Sequence, residues 1–458
     1  MVAGSPNVSL AEIRAEIDEP AAGRAMHDFV AELYPICRSI TGDGVRETLT
    51  RIANRVPITV HEVPTGTRVF DWDVPPEWNI RDAWVKDADG NRVIDFRAHN
   101  LHVVSYSEPV RRTVTRDDLE RRVFTMPDRP EWIPYRTSYY ERSWGFCAAH
   151  DTLASLPDGN YEVCIDSTLD DGSLTYGELL LEGSTDDEVL VSVHVCHPSL
   201  ANDNLSGIAL AVAAAEHLRR ARLRYSYRFV FIPGTIGSIA WLARNEASAS
   251  RVRHGLVLSG VGDPGPLSYK RSRRGDATID QAVEHVLATS GRAHAVVDWF
   301  PYGYDERQYC SPGFDLPVGR LSRSPHGEYP EYHTSGDDLD FVRPESLADA
   351  LSTVLAVFAV LEGDGRYLNR NPKCEPQLGR RGLYRALGGA VDRRATEMAL
   401  LWVLSLSDGE WSLLDIARRA ALPFDAIREA ATALEHHELL EPLDASRDLS
   451  TPAARAPG

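Results

Sequence analysis

Apolar residues change their spacing along the chain, and each change marks a boundary. Between residues 24 and 55 they recur at helical intervals, in RAMHDFVAELYPICRSI and again in GVRETLTRIANRV. From about 58 to 182 apolar and polar residues alternate instead, in ITVHEV, NLHVVSYS, YEVCID and ELLLEG. Asp-Gly pairs at Asp89-Gly90, Asp158-Gly159 and Asp171-Gly172 punctuate this stretch, which predicts an inserted β-rich subdomain over 58–182.

After residue 185 the rhythm becomes strand, loop, helix: EVLVSVHV, NLSGIALAVAAAEHLRRA, YSYRFVFIP, SIAWLARN, GLVLSG. This is the pattern of an α/β core with a mostly parallel sheet, expected over 20–57 and 183–370. Past the polar segment NRNPKCEPQLGR, three apolar-periodic stretches over 375–450 read as a winged helix-turn-helix.

Composition narrows the function classes. A chain of 458 residues exceeds one ordinary core, so two or three domains are expected. A net charge of −18 disfavours nucleic acid and anionic membranes as partners. The winged helix is itself acidic, with ten acids against three arginines from Thr396 to Asp444, which favours a packing or interaction role over DNA binding. The six cysteines are scattered without a CxxC, as in reduced cytoplasmic proteins. The N-terminus has no signal-peptide core, and IALAVAAAEHL and LSTVLAVFAVLEG read as too short to span a bilayer. The expectation is a soluble, cytoplasmic protein with a small-molecule or peptide-like substrate, and homo-oligomers remain open.

Candidate chemistry sits in HVCHPSLANDNLSG, residues 194–207. The strand EVLVSVHV ends near Val195, which puts His197 on the strand-end loop and Asp203 just before a helix that Asn204 is positioned to cap. In α/β sheets ligands bind beyond the carboxyl ends of strands. A histidine and a carboxylate converging there suit a divalent metal, zinc above all; a capping aspartate beside a hydrogen-bonded histidine is the alternative. A second cluster, GEYPEYHTSGDDLDF (327–341), places Glu328, Glu331, His333, Asp337, Asp338 and Asp340 among aromatics, as a pocket wall would. His194, inside the strand, reads as a core or supporting histidine, and Cys196 as pointing away from His197.

These two stretches, with FVFIPGTIGSIAWL and GYDERQYCSPGFDLPVG, closely resemble the aminopeptidase-like domain proteins of bacterial polysaccharide and natural-product gene clusters. Those proteins are similar to the zinc aminopeptidases and glutaminyl cyclases. RSITGDGVRETL, PTGTRVFDWDVPPEWNIRDAWV and NLHVVSYSEPV extend the resemblance over nearly the whole chain. It implies a zinc-aminopeptidase-like core. It also implies one or two zinc ions, with iron as an alternative, held by His197, His333 and Asp203, Asp203 being the carboxylate that bridges in two-zinc relatives. Asp263 and Glu331 are further ligand candidates.

The departures bear on mechanism. The family pattern reads Pro-Glu-Thr-Ile-Gly-Ser where this chain has Pro233-Gly234-Thr235-Ile236-Gly237-Ser238, so the general-base position is Gly234. Losing a general base costs a factor of about 10² to 10⁴. Glu306, Glu331 and Asp305 are the candidate replacements. Tyr304 stands where the family has serine and, with Arg307 and the space at Gly234, is a candidate for substrate binding. The expected function is a metal-dependent amide- or carbonyl-processing enzyme of biosynthesis; a non-hydrolytic cyclase, lyase or transferase and a partner-binding pseudoenzyme are the alternatives. The basic run 270–275 reads either as an anion contact or as a solvated loop paired with acids. Trp72, Trp78, Tyr139 and Tyr140 are candidates to roof the cleft or to form subdomain core.

Overall fold

The computed structural model of the chain describes residues 8–325, 327–383 and 390–443. Two compact units emerge, one from the segments 1–280 and 293–355, the other from 281–292 and 356–458.

The first unit is organised by an eight-stranded mixed sheet. Its order runs Thr59–Pro64, Ser173–Leu181, Ser226–Ile232, Glu188–His194, Val252–Leu258, Val318–Ser322, Leu267–Lys270, His294–Val297. The central ladders are parallel, joining 226–232 to 188–194, 188–194 to 252–258, and 252–258 to 318–322. All seven residues of Glu188–His194 are buried, which is why EVLVSVH reads as a near-continuous apolar run: a central parallel strand is covered on both faces. The helix Gly207–Leu218 buries ten of its twelve residues, and alanines at five of those positions allow close approach.

The hydrogen bonds correct the limits of the insertion. Thr59–Pro64 and Ser173–Leu181 pair with each other and, through Phe229 and Phe231, with the central sheet, so they belong to it and not to the subdomain. The separate antiparallel sheet is four-stranded, in the order Arg92–Asp95, Glu77–Lys86, Asn160–Asp170, Val110–Thr115. Alternation carries no information about which sheet a strand joins, so the sequence pattern ran the two together. One apolar cluster runs from Val85, Val163 and Ile165 of the insertion to Leu190, Val230 and Trp241 of the core.

The N-terminal helical stretch is two helices, Glu19–Leu33 and Asp43–Ala53, separated by the RSITGD segment. Gly42 makes this break possible: its φ is 96°, and a Cβ there would lie 2.1 Å from the Trp78 carbonyl oxygen.

In the second unit the strand Arg366–Asn369 lies between Asp408–Ser412 and Leu440–Pro442, beside the helices Ala390–Leu406, Leu413–Ala420 and Phe424–His436. The first wing strand therefore precedes the expected start at 375. Residues 384–389 and 444–450 of the expected domain, and the first seven residues of the chain, lie outside the described residues. The stretch containing LSTVLAVFAVLEG is longer than the sequence pattern indicated: helix Pro344–Gly363 is long and apolar enough to cross a bilayer, yet 72% of its most apolar window is buried within the protein.

Candidate metal centre

The strand Glu188–His194 delivers His194 to its carboxyl end, and the amide of Val195 still bonds Ile232. The chain then turns through His197 to the segment 201–206, whose polar side chains each fix the backbone. Asn204 accepts from the amides of Gly207 and Gly260 and donates to the Leu258 carbonyl. Asn202 donates to Asp263 at 3.0 Å and accepts from the Gly262 amide at 2.8 Å. Asp337 accepts the amides of both Asn202 and Asp203. The two asparagines of ANDN, with Asp337, are thus three clamps around one projecting side chain, Asp203.

Asp203 is 2% exposed. Its Oδ1 lies 2.8 Å from His194 Nε2, and its Oδ2 lies 3.0 Å from His333 Nε2 and accepts the Tyr304 hydroxyl at 2.8 Å. Donor atoms of His194, His197 and Asp203 all fall within 4.8 Å of one another. The His197 and His333 rings are 5.2 Å apart, so three imidazoles surround one carboxylate. Burial pushes Asp203 toward its protonated form, and the surrounding imidazoles outweigh it, holding the carboxyl well below its usual range. Burial keeps His197 neutral, far below the usual imidazole value. Among the described residues no lysine or arginine is hydrogen-bonded to Asp203. An ionised, buried carboxylate ringed by imidazoles is the donor set of a zinc-like cation, and the residues present fit one.

Sequence reasoning left His194 as a supporting residue; its contact with Asp203 makes it a ligand candidate beside His197. The strand-parity argument for Cys196 failed because the chain bends after Val195: its sulfur sits 3.5 Å from His197 Nδ1 and accepts the Gly234 amide. Burial pushes the Cys196 thiol up to about 12, so it is no thiolate at neutral pH.

His333 arrives from the loop before the helix Pro344–Gly363. It adopts φ 56°, in the left-handed region, which for a non-glycine costs on the order of 1–3 kcal/mol. The Tyr135 amide, donating to the His333 carbonyl at 2.7 Å, and a stacked Tyr332 ring hold it there. The Tyr135 ring also meets His197 and His333 edge-on, so the insertion reaches the site through this residue. Trp78 is buried and donates to Ser107, and Tyr139 bonds Tyr135 through its hydroxyl, whereas Trp72 and Tyr140 pack on each other at the surface.

The candidate bases separate by environment. Glu306 does not fit the role expected of it: it is wholly buried, and its Oε1 accepts from Lys270 at 2.9 Å, with Arg320 at 3.8 Å. Asp305 is different. Its Oδ1 accepts the Thr235 amide and the Ser238 hydroxyl, its Oδ2 is buried without a partner, and burial raises its pKa. Its carboxyl group therefore binds the loop on which Gly234 stands. A Cβ at Gly234 would meet Cys196 Sγ at 3.4 Å and His194 Cβ at 3.6 Å, so that position faces the histidine side of the centre. Glu331 is half-buried, with its backbone carbonyl capping Thr334. Asp263 is saturated by Asn202, Gly265 and Ser324 and has no lone pair to spare for a metal. Arg307 is half-buried, its Nε without a partner. The arginines of 270–275 pair with acids, Arg271 with Asp298 and Arg273 and Arg274 with Asp315, while Lys270 is the buried partner of Glu306.

The mixed sheet has structural neighbours among the zinc aminopeptidases. The chain superposes on the Bacillus subtilis zinc aminopeptidase BSAP with a TM-score of 0.54 at 14% identity, over 74% of this chain and 94% of that one, which establishes the fold alone. By sequence it belongs to the family described as domain of unknown function DUF4910, matched over residues 27–364, followed by a winged helix-turn-helix over 365–442. A Clostridium acetobutylicum protein, named as a candidate polysaccharide biosynthesis protein with an aminopeptidase-like domain, is 50% identical over 419 residues, 92% of this chain and 96% of that one. A crystal structure of a candidate peptidase from the same organism superposes with a TM-score of 0.91 at 48% identity, over 95% of this chain and all of that one.

Proposed function

We propose that this chain is a metal-dependent enzyme acting on an amide or related carbonyl of a small biosynthetic intermediate, with one divalent ion, zinc, held by His194, His197 and Asp203. The observation that carries this reading is the buried Asp203 carboxyl ringed by three imidazoles, with donor atoms of His194, His197 and Asp203 within 4.8 Å of one another. Three protein ligands leave a position open, and the ion there would supply Lewis-acid polarisation of the carbonyl. Tyr304 and His333 both engage Asp203 Oδ2, and Asp263 is saturated, which supports one ion over two.

The chain's own groups divide the remaining work. Tyr304, whose pKa burial raises well above its usual value, stays a neutral hydrogen-bond donor. Asp305, with its raised pKa and unpartnered Oδ2, is the carboxyl suited to exchange a proton. Tyr135 and the stacked Tyr332 hold His333 and wall the site. The winged helix serves packing or interaction, and the names of the relatives favour polysaccharide or related small-molecule biosynthesis as the setting.

A second reading, a cyclisation, elimination or transfer at the same centre, is favoured by the absence of a side chain at Gly234. Elemental analysis tests the common ground. Native protein is expected to carry about one equivalent of zinc, and His194→Ala or His197→Ala to lose it; a metal-free native protein would remove both readings.

A further inference from the structure

Three successive carbonyls at the end of helix Glu19–Leu33 accept side chains. Leu33 accepts Arg38 Nη1 at 2.7 Å, Tyr34 the Ser199 hydroxyl at 2.9 Å, and Pro35 the Asn100 amide at 3.0 Å. Carbonyls at a helix end lack partners further along the helix and carry the negative end of its dipole. Ser199, two residues beyond His197, is thereby tied to the helix directly, and Asn100 donates to its hydroxyl at 2.8 Å.

Arg38 makes the second tie. Its side chain lies in RSITGDG, and the residue is 1% exposed. While Nη1 holds Leu33, Nε donates to the carbonyl of His197 at 2.9 Å. Among the described residues no carboxylate pairs with this guanidinium; the negative end of the helix lies beside it instead. Burying a charge without an ionic partner is costly, and a neutral donor would satisfy Leu33 at less cost. What a guanidinium adds is a rigid planar fork that fixes the distance between two acceptors. One acceptor here ends a helix anchored by buried Met26, Phe29, Val30 and Leu33, and the other is the backbone of a candidate metal ligand.

The ring of His197 is held from the neighbouring residue. Ser39 bonds the Ser105 hydroxyl at 2.7 Å, and the Ser105 backbone pairs with Arg136 and Ser138, on either side of Thr137. That segment carries Tyr135, whose ring meets His197 edge-on at 5.2 Å. Backbone and ring of His197 therefore trace to two adjacent residues, 38 and 39.

We propose that Arg38 is a positioning residue of the metal centre, fixing His197 to the end of helix Glu19–Leu33 so that the ligand is in place before the ion arrives. This rests on the metal-centre reading and says what holds that centre in shape.

The test compares full-length native protein with Arg38→Met and Arg38→Lys, each prepared metal-free and confirmed as folded by circular dichroism. Two probes are used: zinc, for affinity by competition with a chelator, and cobalt(II), whose visible spectrum reports coordination geometry. Arg38→Met is expected to bind zinc about 10- to 100-fold more weakly, the usual effect of losing a group that orients a ligand, and to shift the cobalt spectrum. Arg38→Lys, whose ammonium keeps the charge but not the fork, is expected to fall between Arg38→Met and native protein. A merely structural arginine would lower the urea stability of the metal-free chain and leave zinc affinity and the cobalt spectrum as they are. Native zinc affinity in folded Arg38→Met overturns the proposal, and so does a loss of affinity with the native cobalt spectrum, since the ligand would then not have moved. If Arg38→Met fails to fold, Arg38→Lys decides alone, and native affinity in that variant overturns the proposal. Native protein that binds neither ion removes the metal-centre reading and this one with it, whereas native binding that the variants leave unchanged removes only the role of Arg38.

Discussion

Asp337 holds Asp203 by its backbone: Asp337 Oδ2 accepts the Asp203 amide at 2.9 Å while Oδ1 accepts the Asn202 amide at 2.5 Å. Both carboxyl groups are buried, yet their environments differ. Burial raises the pKa of Asp337 well above its usual value, whereas the imidazoles around Asp203 lower that of Asp203. Asp337 positions Asp203 through its backbone amide, one step away from the proposed metal ligands. Asp337→Asn is nearly isosteric, but it turns an NH₂ toward one of the two amides. Groups that orient metal ligands typically cost 10- to 100-fold in metal affinity when changed. Zinc affinity by competition with a chelator should therefore fall by about 10- to 100-fold, with the circular dichroism spectrum preserved.

Gly234→Glu introduces a carboxylate at the position expected from the sequence to hold the general base. The neighbours of a Cβ there are at ordinary contact distances, 3.4 to 3.9 Å, so the variant is expected to fold with a melting temperature close to that of the native chain. If the native chemistry lacks an efficient base, amide hydrolysis should rise by about 10²-fold, read as release of p-nitroaniline from aminoacyl p-nitroanilides. An unchanged rate would mean that Asp305 already fills the role or that hydrolysis is not the reaction.

Much of this centre was legible in the sequence because its residues lie in two short segments whose polar composition stands out against apolar flanks. His197, Asp203 and His333 do converge, and the α/β core and the winged helix follow the periodicity of their segments. What stayed hidden depended on contacts distant in sequence. His194 looked like a core or supporting residue because it lies inside the strand, and its contact with Asp203 forms only across the turn that follows. Tyr135 carried no local signal; the isolated bridge of Pro134 with Thr334, the bonds between Ile133 and Ser335 and the Tyr135 bond to His333 bring it in. Glu306 looked available because Lys270 lies thirty-six residues away in the sequence, beyond any local pattern. The insertion boundary was misread for the same reason, since alternation does not reveal which neighbour a strand pairs with.

The Lys270 and Glu306 pair makes an ordered prediction. Both side chains are wholly buried, and stranding a buried charge typically costs about 3–5 kcal/mol. Glu306→Gln leaves two cations, Lys270 and Arg320, without their carboxylate. Lys270→Met leaves Glu306 with Arg320 still 3.8 Å away. Urea unfolding should therefore show the larger loss for Glu306→Gln, near the upper end of that range, and a smaller one for Lys270→Met. Zinc content should be unaffected by Glu306→Gln. The reverse order of stabilities would mean that Arg320 does not share the charge.

His254 gives a pH dependence that can be separated from the metal centre. It lies on the strand Val252–Leu258, 6% exposed, edge-on to Tyr225, with Arg224, Arg253 and Asp187 as the charged groups around it. Burial, aided by Arg224 and Arg253, lowers its pKa from 6.5 to about 4. Above pH 6.5 neither the folded nor the unfolded chain protonates this ring, and its burial costs nothing electrostatically. Between pH 6.5 and about 4 the unfolded chain takes up a proton that the folded chain refuses, so stability falls as pH falls across that window. His254→Leu removes the proton site while keeping an apolar side chain of similar reach. The melting temperature of the variant relative to native protein should therefore improve steadily from pH 6.5 down to pH 4, and hold constant above that window. A constant difference throughout would show that His254 titrates in the folded chain as it does in the unfolded one.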